Sequence, residues 1–146
     1  MESIDVAEFR RRIQDSGLRL TQPRLRILDA LTAMGRPVGA YDLHAEMTAA
    51  GQKVNIVSIY RTLSAFQELG IIHYIPSQQG YLVCTSDCKD DLQTEHLVCE
   101  QCGDVSELPI PECATKDLRQ QADSQGFRPN KIRVEVGGVC GKCQGA

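Results

Sequence analysis

The sequence predicts an α+β fold in two parts, an N-terminal winged helix-turn-helix domain and a small C-terminal α/β domain that contains two cysteine motifs. Helical patterns fill most of residues 6–70, and a strand-turn-strand pattern follows them directly. Two Cys-x-x-Cys motifs lie in the last third of the chain. A chain of 146 residues has room for two small domains. We predict boundaries at 1–83 for the first domain, 84–95 for a polar connector and 96–146 for the second domain.

Four amphipathic segments predict the helices of the first domain. They are VAEFRRRIQDS, TQPRLRILDALTAM, AYDLHAEMTAA and NIVSIYRTLSAFQEL. The first ends at Gly17 and the third at Gly51, and glycine suits the left-handed position after a helix. Thr21 is expected to cap the second helix, with Pro23 in its first turn. Leucine spacing predicts its buried stripe, and Ala50 is expected on the inner face of the third helix.

The fourth helix has an apolar inner face at positions 59, 63, 66 and 69, which leaves Tyr60, Arg61, Ser64 and Gln67 towards solvent. Two β-prone stretches, IIHYI and GYLV, flank the turn PSQQ and predict a hairpin. Helices followed by a hairpin form a winged helix-turn-helix, whose last helix can enter the major groove of DNA. Arg61 is the first candidate for reading bases. The alternative is that Tyr60 and Arg61 are ordinary solvated residues.

Charge is distributed unevenly between the two parts. Residues 1–80 contain 9 Lys and Arg against 8 Asp and Glu, whereas residues 81–146 contain 7 against 11. The first domain is therefore the better partner for nucleic acid, although the net charge is -3. The apolar runs are too short to cross a bilayer, so we expect a soluble cytoplasmic protein.

The remaining segments predict a small α+β domain. LVC and DVSEL are expected to form strands, TKDLRQQADSQ a helix that ends at Gly126, and KIRVEV an alternating strand. The sheet is too short to bury much apolar surface alone, so we expect it to pair with a second copy of itself.

The two Cys-x-x-Cys motifs predict a structural zinc site. Cys99 and Cys102 are separated from Cys140 and Cys143 by 37 residues. Two such turns can surround zinc with four thiolates, and cysteines in a chain without a secretion signal are better explained as ligands than as disulfides. The site would clip the first strand of the domain to its last segment, and its loss should unfold the domain. The alternative is four free or redox-active thiols.

A second set of donors is spread over both domains. It consists of His73, Cys84, His96 and Glu107. If one ion gathered them, the mixed N, S and O ligands would suit zinc better than ferrous iron or manganese. Each residue alone is more commonly an ordinary surface or strand residue. A third metal site, with contributions from Asp87, Cys88 and Glu95, remains an alternative that the sequence leaves open.

An enzyme is the alternative class of protein that these residues suggest. The HAE at 44–46 with later cysteine pairs has the outline of a zinc deaminase, but that site needs a proline before its Cys-x-x-Cys, and valine precedes both Cys99 and Cys140. We expect no enzyme and no small-molecule substrate. A thiol switch or zinc chaperone stays open, with Cys88 and Cys113 as candidate reactive thiols.

Together these motifs resemble the ferric uptake regulator family over nearly the whole chain. RLTQPRLRIL resembles its arginine-bearing second helix, AYDL its third and SIYRTL its recognition helix. HLVCEQCGDV and VCGKC resemble its zinc-clipped dimerisation domain. The resemblance implies a homodimeric transcription factor, usually a repressor, that binds double-stranded operator DNA when a regulatory metal is bound.

Within the family the chain is most similar to the zinc-sensing branch. That similarity implies a regulatory zinc on His73, Cys84 and Glu107, with His96 as the candidate fourth ligand, and hence two zinc ions per subunit. The iron and peroxide branches use a histidine of the DNA-binding domain where this chain has GRPVG. A family member that senses iron, manganese or peroxide is the alternative. The resemblance further implies DNA contacts, and our candidates are Tyr41, Tyr60, Arg61, Arg24 and Ser64.

Overall fold

The computed structural model describes residues 6–84 and 93–145. The chain forms two compact units, Met1–Thr85 and Ser86–Ala146. The described residues include helices and two small sheets, which confirms the α+β class. The connector at 84–95 stays a prediction, because residues 85–92 lie outside the described part. No helix in the described residues is both long and apolar enough to span a membrane.

Within residues 6–84 the first unit contains four helices and a two-stranded hairpin. Its elements are α1 (Val6–Asp15), α2 (Gln22–Met34), α3 (Ala40–Ala49), α4 (Ile56–Glu68), β1 (Ile72–Ile75) and β2 (Gly80–Val83). The hairpin is antiparallel, and a single 3-10 turn at Pro76–Gln78 joins its strands. These elements match the helices and hairpin that the sequence predicts, so the winged helix-turn-helix prediction is confirmed.

The core of the first unit is made by the apolar faces of α2, α3 and α4 with the hairpin. Its fully buried side chains include Ile27, Leu28, Leu31, Leu43, Ile59, Leu63, Phe66 and Ile71. The guanidinium of Arg12 donates to the Leu69 carbonyl at 2.9 Å and thereby ties α1 to the end of α4. The inner face of α4 is therefore fixed, and its opposite face is left for other contacts.

Two local predictions in this unit are wrong. Thr21 is the N-cap residue of α2, but its side chain makes no capping hydrogen bond. Pro23 occupies the second helical position and has no N–H, so one of the two usual cap donors is missing. Ala50 is exposed, because α3 ends at Ala49 and the chain turns away at Gly51, which has a φ of 79°. The side chain of Asn55 caps α4 instead, accepting from the Val57 N–H at 2.8 Å.

The hairpin is held against the α2–α3 loop by backbone contacts. Val38 and Tyr81 exchange two hydrogen bonds, of 3.0 and 2.8 Å. Gly80 makes this approach possible, since a Cβ at this position would lie 2.5 Å from the backbone nitrogen of Val38. The hairpin is thus packed against the helical core of its own unit.

The described part of the second unit, residues 93–145, contains a three-stranded sheet and two helices. Its elements are β3 (Gln93–Cys99), β4 (Val105–Pro109), α5 (Glu112–Ser124), β5 (Ile132–Gly138) and α6 (Gly141–Gln144). The strand order is β4-β3-β5, with β3 antiparallel to β4 and parallel to β5. The predicted strands and helix are confirmed, including the left-handed Gly126 after α5, with a φ of 71°. The short α6 was not predicted, because four residues show no periodicity.

Candidate metal centres and nucleic-acid interface

The first cysteine pair lies in the turn between β3 and β4. Cys99 is the last residue of β3, and its N–H donates to the Asp104 carbonyl at 2.9 Å. Gly103 adopts a φ of 74° and donates its N–H to the Cys99 carbonyl at 2.8 Å. This tight turn places Cys102 on the same side as Cys99.

The second pair is brought to the same place by the parallel pairing of β3 and β5. The Glu100 N–H donates to the Gly138 carbonyl at 2.8 Å, so the chain beyond β5 passes beside the first turn. Cys140 is the N-cap residue of α6, and Cys143 lies within that helix. The Cys143 N–H donates to the Cys140 carbonyl at 3.0 Å, which folds the second pair into its own turn.

All four sulfur atoms form one cluster. The Sγ atoms of Cys99, Cys102, Cys140 and Cys143 lie within 4.8 Å of one another. The distance from Cys102 Sγ to Cys140 Sγ is 3.8 Å. A tetrahedral zinc with Zn–S bonds of about 2.3 Å requires S···S distances of about 3.8 Å. The donor set and its dimensions therefore fit a tetrahedral metal ion.

Hydrogen bonds distribute charge unevenly within the cluster. The Cys140 N–H donates to the Cys99 Sγ at 3.3 Å, and this bond, with a second from the Cys102 backbone, lowers the pKa of Cys99 to about 6. Hydrogen bonding to the Cys140 side chain, and then to that of Cys102, raises the pKa of Cys143 to about 12. The site therefore combines a stabilised thiolate with neighbouring thiols that resist ionisation. A cation bound among them would favour the thiolate form of the sulfurs that coordinate it.

Two of the predicted regulatory ligands lie together in the first unit. His73 is on β1, and Cys84 follows β2 with its backbone N–H donating to the Ile71 carbonyl at 2.9 Å. The Cys84 Sγ and a His73 ring nitrogen are within 4.8 Å of each other. Cys84 is buried and His73 is half-buried. The hairpin therefore offers one sulfur and one nitrogen donor side by side.

The other two predicted ligands lie together in the second unit. His96 on β3 is directly opposite Glu107 on β4, so both side chains project from the same face of the sheet. Glu135 on β5 lies opposite His96 on the other side. His96 is buried and Glu107 half-buried. Neither relation could be read from the sequence, because it depends on the register of the strands.

The other candidate thiols and acids give no further site in the described residues. Asp87 and Cys88 lie outside the described part of the chain. Glu95 projects from the opposite face of β3 to His96. Cys113 is exposed on α5, and within 6–84 and 93–145 it belongs to no cluster of three or more metal-ligating side chains.

The exposed face of α4 contains the predicted DNA-contacting side chains. Tyr60, Arg61 and Ser64 are all exposed, as the helical spacing predicts. The ring of Tyr60 meets that of Tyr41 edge to face, with centroids 6.1 Å apart. Arg24 is half-buried and donates to the carbonyl of Arg19, so part of its guanidinium holds the loop before α2.

Two features of this surface were missed by the sequence analysis. Val57 is 51% exposed on the same face of α4, and its position three before Tyr60 and four before Arg61 was the available signal. On the hairpin, Tyr74 and Tyr81 pack with ring centroids 5.1 Å apart. They line, with Tyr41 and Tyr60, a groove of about 650 Å³ between α3, α4 and the hairpin.

Comparison with known proteins gives a consistent family. Residues 15–137 match the model of the ferric uptake regulator family. The ferric uptake regulation protein of Neisseria meningitidis serogroup A is 34% identical over 134 residues, which is 90% of each chain. Among solved structures, holo XcZur superposes with a TM-score of 0.85 at 28% identity, covering 97% of each chain.

A zinc uptake regulator solved with zinc and DNA also superposes with a TM-score of 0.85, at 24% identity, covering 95% of this chain and 92% of its own. At that identity the likeness shows the shared fold. Members of the matched family are transcription regulators that bind DNA as dimers, and they are not enzymes. The chain belongs to the ferric uptake regulator family of metal-responsive DNA-binding regulators.

Proposed function

We propose that this protein is a zinc-responsive repressor, which binds operator DNA as a dimer when zinc-loaded and thereby controls zinc uptake genes in the cytoplasm. The observation that supports zinc as the signal is the pair of donors on the hairpin, His73 with the buried Cys84. A thiolate with an imidazole favours zinc over the harder ferrous and manganous ions. The likeness to holo XcZur supports the same metal.

The principal alternative is an iron-responsive regulator. It is favoured by the names of the curated relatives, of which the Neisseria meningitidis protein is 34% identical. Identity at this level establishes a family but leaves room for a change of metal, because a single sulfur ligand alters the preference of a site. The donor chemistry of Cys84 is therefore the stronger guide.

We assign two zinc ions to each subunit. The first is structural and is held by Cys99, Cys102, Cys140 and Cys143, whose S···S spacing suits tetrahedral zinc. The second is regulatory, with ligands His73, Cys84, His96 and Glu107. Cross-strand pairing of His96 with Glu107 supports their acting on one ion, since both project from one face of the sheet.

The regulatory zinc would act by fixing the angle between the two units of each subunit. Two of its proposed ligands belong to the first unit and two to the second, so an ion that binds all four would restrain both units. In a dimer the two recognition helices must then match the spacing of two half-sites. Without zinc, most molecules would have the two units at an angle that does not match the half-sites. To make the matching angle the predominant one, zinc must bind that arrangement more tightly by about 5.5 kcal/mol, which a four-ligand zinc site can supply.

The DNA contacts would come from α4 and its neighbours. Arg61 is our candidate for reading a base, with Tyr60, Ser64 and Tyr41 beside it. Arg24 would contribute through the loop that it braces as well as through charge. Arg61 is exposed on the free face of α4, within the first two turns of the helix, and the N-terminal part of a recognition helix is the part that meets base edges.

The deciding experiment is a metal titration of DNA binding. The tightly held zinc is first counted by mass spectrometry. The protein is then titrated separately with zinc, with manganese, and with ferrous iron under anaerobic conditions. Its binding to DNA selected from random duplexes is measured in each titration. We expect zinc to promote specific binding at the lowest free concentration. Binding that ferrous iron promotes at lower free concentration than zinc would establish the alternative.

Cys84→Ser is the variant that tests the assigned ligands. We expect it to keep one zinc and the dimer but to need far more free zinc for DNA binding, beyond the roughly 10-fold to 100-fold that loss of an outer-shell partner costs. Cys113→Ser is the matched control, because Cys113 is exposed and outside both donor sets. An unchanged zinc requirement in Cys84→Ser would remove Cys84 from the regulatory site.

A further inference from the structure

Val57 is an apolar side chain that packing within the described residues does not explain. It is 51% exposed on α4, whereas the core side of the same helix has Ile59, Leu63 and Phe66 at 1% exposure or less. Valine is also a weaker helix former than alanine, since branching at Cβ restricts its rotamers in a helix. Neither burial nor helix propensity therefore accounts for valine at this position.

Helical geometry puts Val57 at the centre of the exposed face. Successive residues are about 100° apart around the axis, so Tyr60 lies about 60° to one side of Val57 and Arg61 about 40° to the other. Ser64, two turns later, is within about 20° of Val57. The buried Ile59 and Phe66 are on the opposite side of the helix.

Val57 also lies at the end of the helix that approaches bases most closely in helix-turn-helix proteins. It is the second residue of α4, and its N–H is held by the Asn55 cap at 2.8 Å. N-terminal residues of a recognition helix contact base edges. Tyr60 is held against Tyr41 and Arg61 is cationic, so Val57 is the aliphatic group available between them.

The major groove presents one aliphatic group that such a side chain can recognise. Thymine has a C5-methyl group there, and cytosine, adenine and guanine have only polar atoms or a bare ring edge at the corresponding positions. An apolar side chain in contact with this methyl excludes water from both surfaces, which favours thymine over the other bases.

We propose that Val57 is a specificity-determining residue that reads the methyl group of one thymine in each operator half-site. This inference rests on the proposed function, because it requires that α4 lie in the major groove when zinc is bound. It adds a preference for thymine at one position, separate from the base recognition that we propose for Arg61.

A cycle of protein and base changes tests the proposal. Operators are selected from random duplexes with the zinc-loaded wild-type dimer, and each thymine of a half-site is replaced in turn by uracil, which lacks only the methyl group. We expect one position at which the change weakens wild-type binding about 4-fold per half-site, the amount expected for one methyl group removed from water. In Val57→Ala the same replacement should have no effect.

Three further variants separate recognition from folding. Ser58→Ala is the matched control. Ser58 is the next residue of α4 after Val57 and is exposed, but it points about 100° away from Val57 around the helix axis. Val57→Ile keeps an aliphatic group and should keep the sensitivity to uracil. Tyr60→Phe keeps the aromatic ring and should also keep the sensitivity to uracil. Thermal unfolding should show Val57→Ala to be at least as stable as wild type.

Each outcome decides the proposal. Loss of the uracil effect in Val57→Ala, with the effect retained in Ser58→Ala, supports it. An uracil effect that persists in Val57→Ala assigns the methyl contact to another side chain and overturns it, as does wild-type binding that ignores every methyl group. If the wild-type dimer binds no DNA at any zinc concentration, the proposed function has failed, and this inference fails with it.

Discussion

Close backbone contacts at Gly80 show how a single residue positions the hairpin beside α3. The exchange of hydrogen bonds between Val38 and Tyr81 brings the start of β2 against the α2–α3 loop. An added Cβ at Gly80 would meet backbone atoms, at 2.5 Å from the nitrogen of Val38 and 2.7 Å from the carbonyl carbon of Pro37. Backbone atoms cannot rotate away as the end of a side chain can.

We predict that Gly80→Ala lowers the free energy of unfolding by about 1 to 3 kcal/mol, the usual cost of overpacking. Urea denaturation followed by circular dichroism measures it. Gly138→Ala is the control, because a Cβ at Gly138, also in a strand, meets nothing within 4 Å. Equal losses in the two variants would show that close packing at Gly80 is not the cause.

Tyr81 gives a pH-dependent prediction. Burial, followed by the charges of Tyr74 and Tyr60, raises the pKa of Tyr81 above its ordinary value of 10.0. The folded state therefore favours the neutral phenol, and the stability this contributes is present below pH 10 and is lost as the pH rises above 10.

We expect wild-type protein to lose stability above pH 10 more steeply than Tyr81→Phe, which cannot ionise at this position. Thermal unfolding at several alkaline pH values measures the slope. Tyr41→Phe serves as the control, because Tyr41 is 71% exposed and contributes little to packing of the hairpin. Identical slopes for wild type and Tyr81→Phe would contradict the prediction.

Secondary-structure elements and their local motifs account for most of what the sequence could predict. The helices were predictable because apolar residues recur with helical spacing, and the cysteine cluster because each Cys-x-x-Cys is a local turn. The pairing of His96 with Glu107 was not predictable, because it depends on where the turn ends and so on strand register. The cap of α2 was predicted from residue type alone, and the proline two residues later removes one of the two N–H groups that such a cap uses.

The cysteine cluster joins the first strand of the second unit to its last helix, so removing the zinc that we propose it holds should affect that unit as a whole. Zinc of this kind contributes on the order of 10 kcal/mol, more than a sheet of three short strands can replace. We predict that a strong chelator abolishes amide-exchange protection in β3, β4 and β5 while α2 to α4 stay protected.

Hydrogen exchange followed by mass spectrometry measures both units in one sample. Cys102→Ser should behave like chelated wild type, and Cys113→Ser should behave like untreated wild type. Protection of β3 and β5 that survives complete loss of zinc would mean that the sheet is stable without its clip.

Exposed apolar side chains on the second unit indicate where a second copy of the chain would pack. Leu108 and Val136 are 44% and 45% exposed, and they lie on the same face of the sheet on either side of β3. Members of this family act as dimers, and exposed apolar surface of this kind is typical of interaction sites.

We predict that Val136→Glu weakens dimerisation at least about tenfold, because it introduces a charge into a surface that we expect the partner to cover. Analytical ultracentrifugation measures the dissociation constant. Glu135→Gln is the control, since Glu135 is the neighbouring residue of β5 and projects from the other face. A dissociation constant unaltered by Val136→Glu would exclude this face of the sheet from the dimer.

The parallel pairing that unites the two cysteine turns also sets an order of events during synthesis. Cys140, whose backbone nitrogen meets the sulfur of Cys99, follows it in the chain by 41 residues. A ribosome that adds 5 to 20 residues per second needs roughly 2 to 8 s to cover that distance. Throughout this interval the first pair of thiols has been made and the second pair has not, so a four-thiol metal site cannot yet form. The first unit, which is synthesised earlier still, can fold before the second pair of cysteines in the second unit exists.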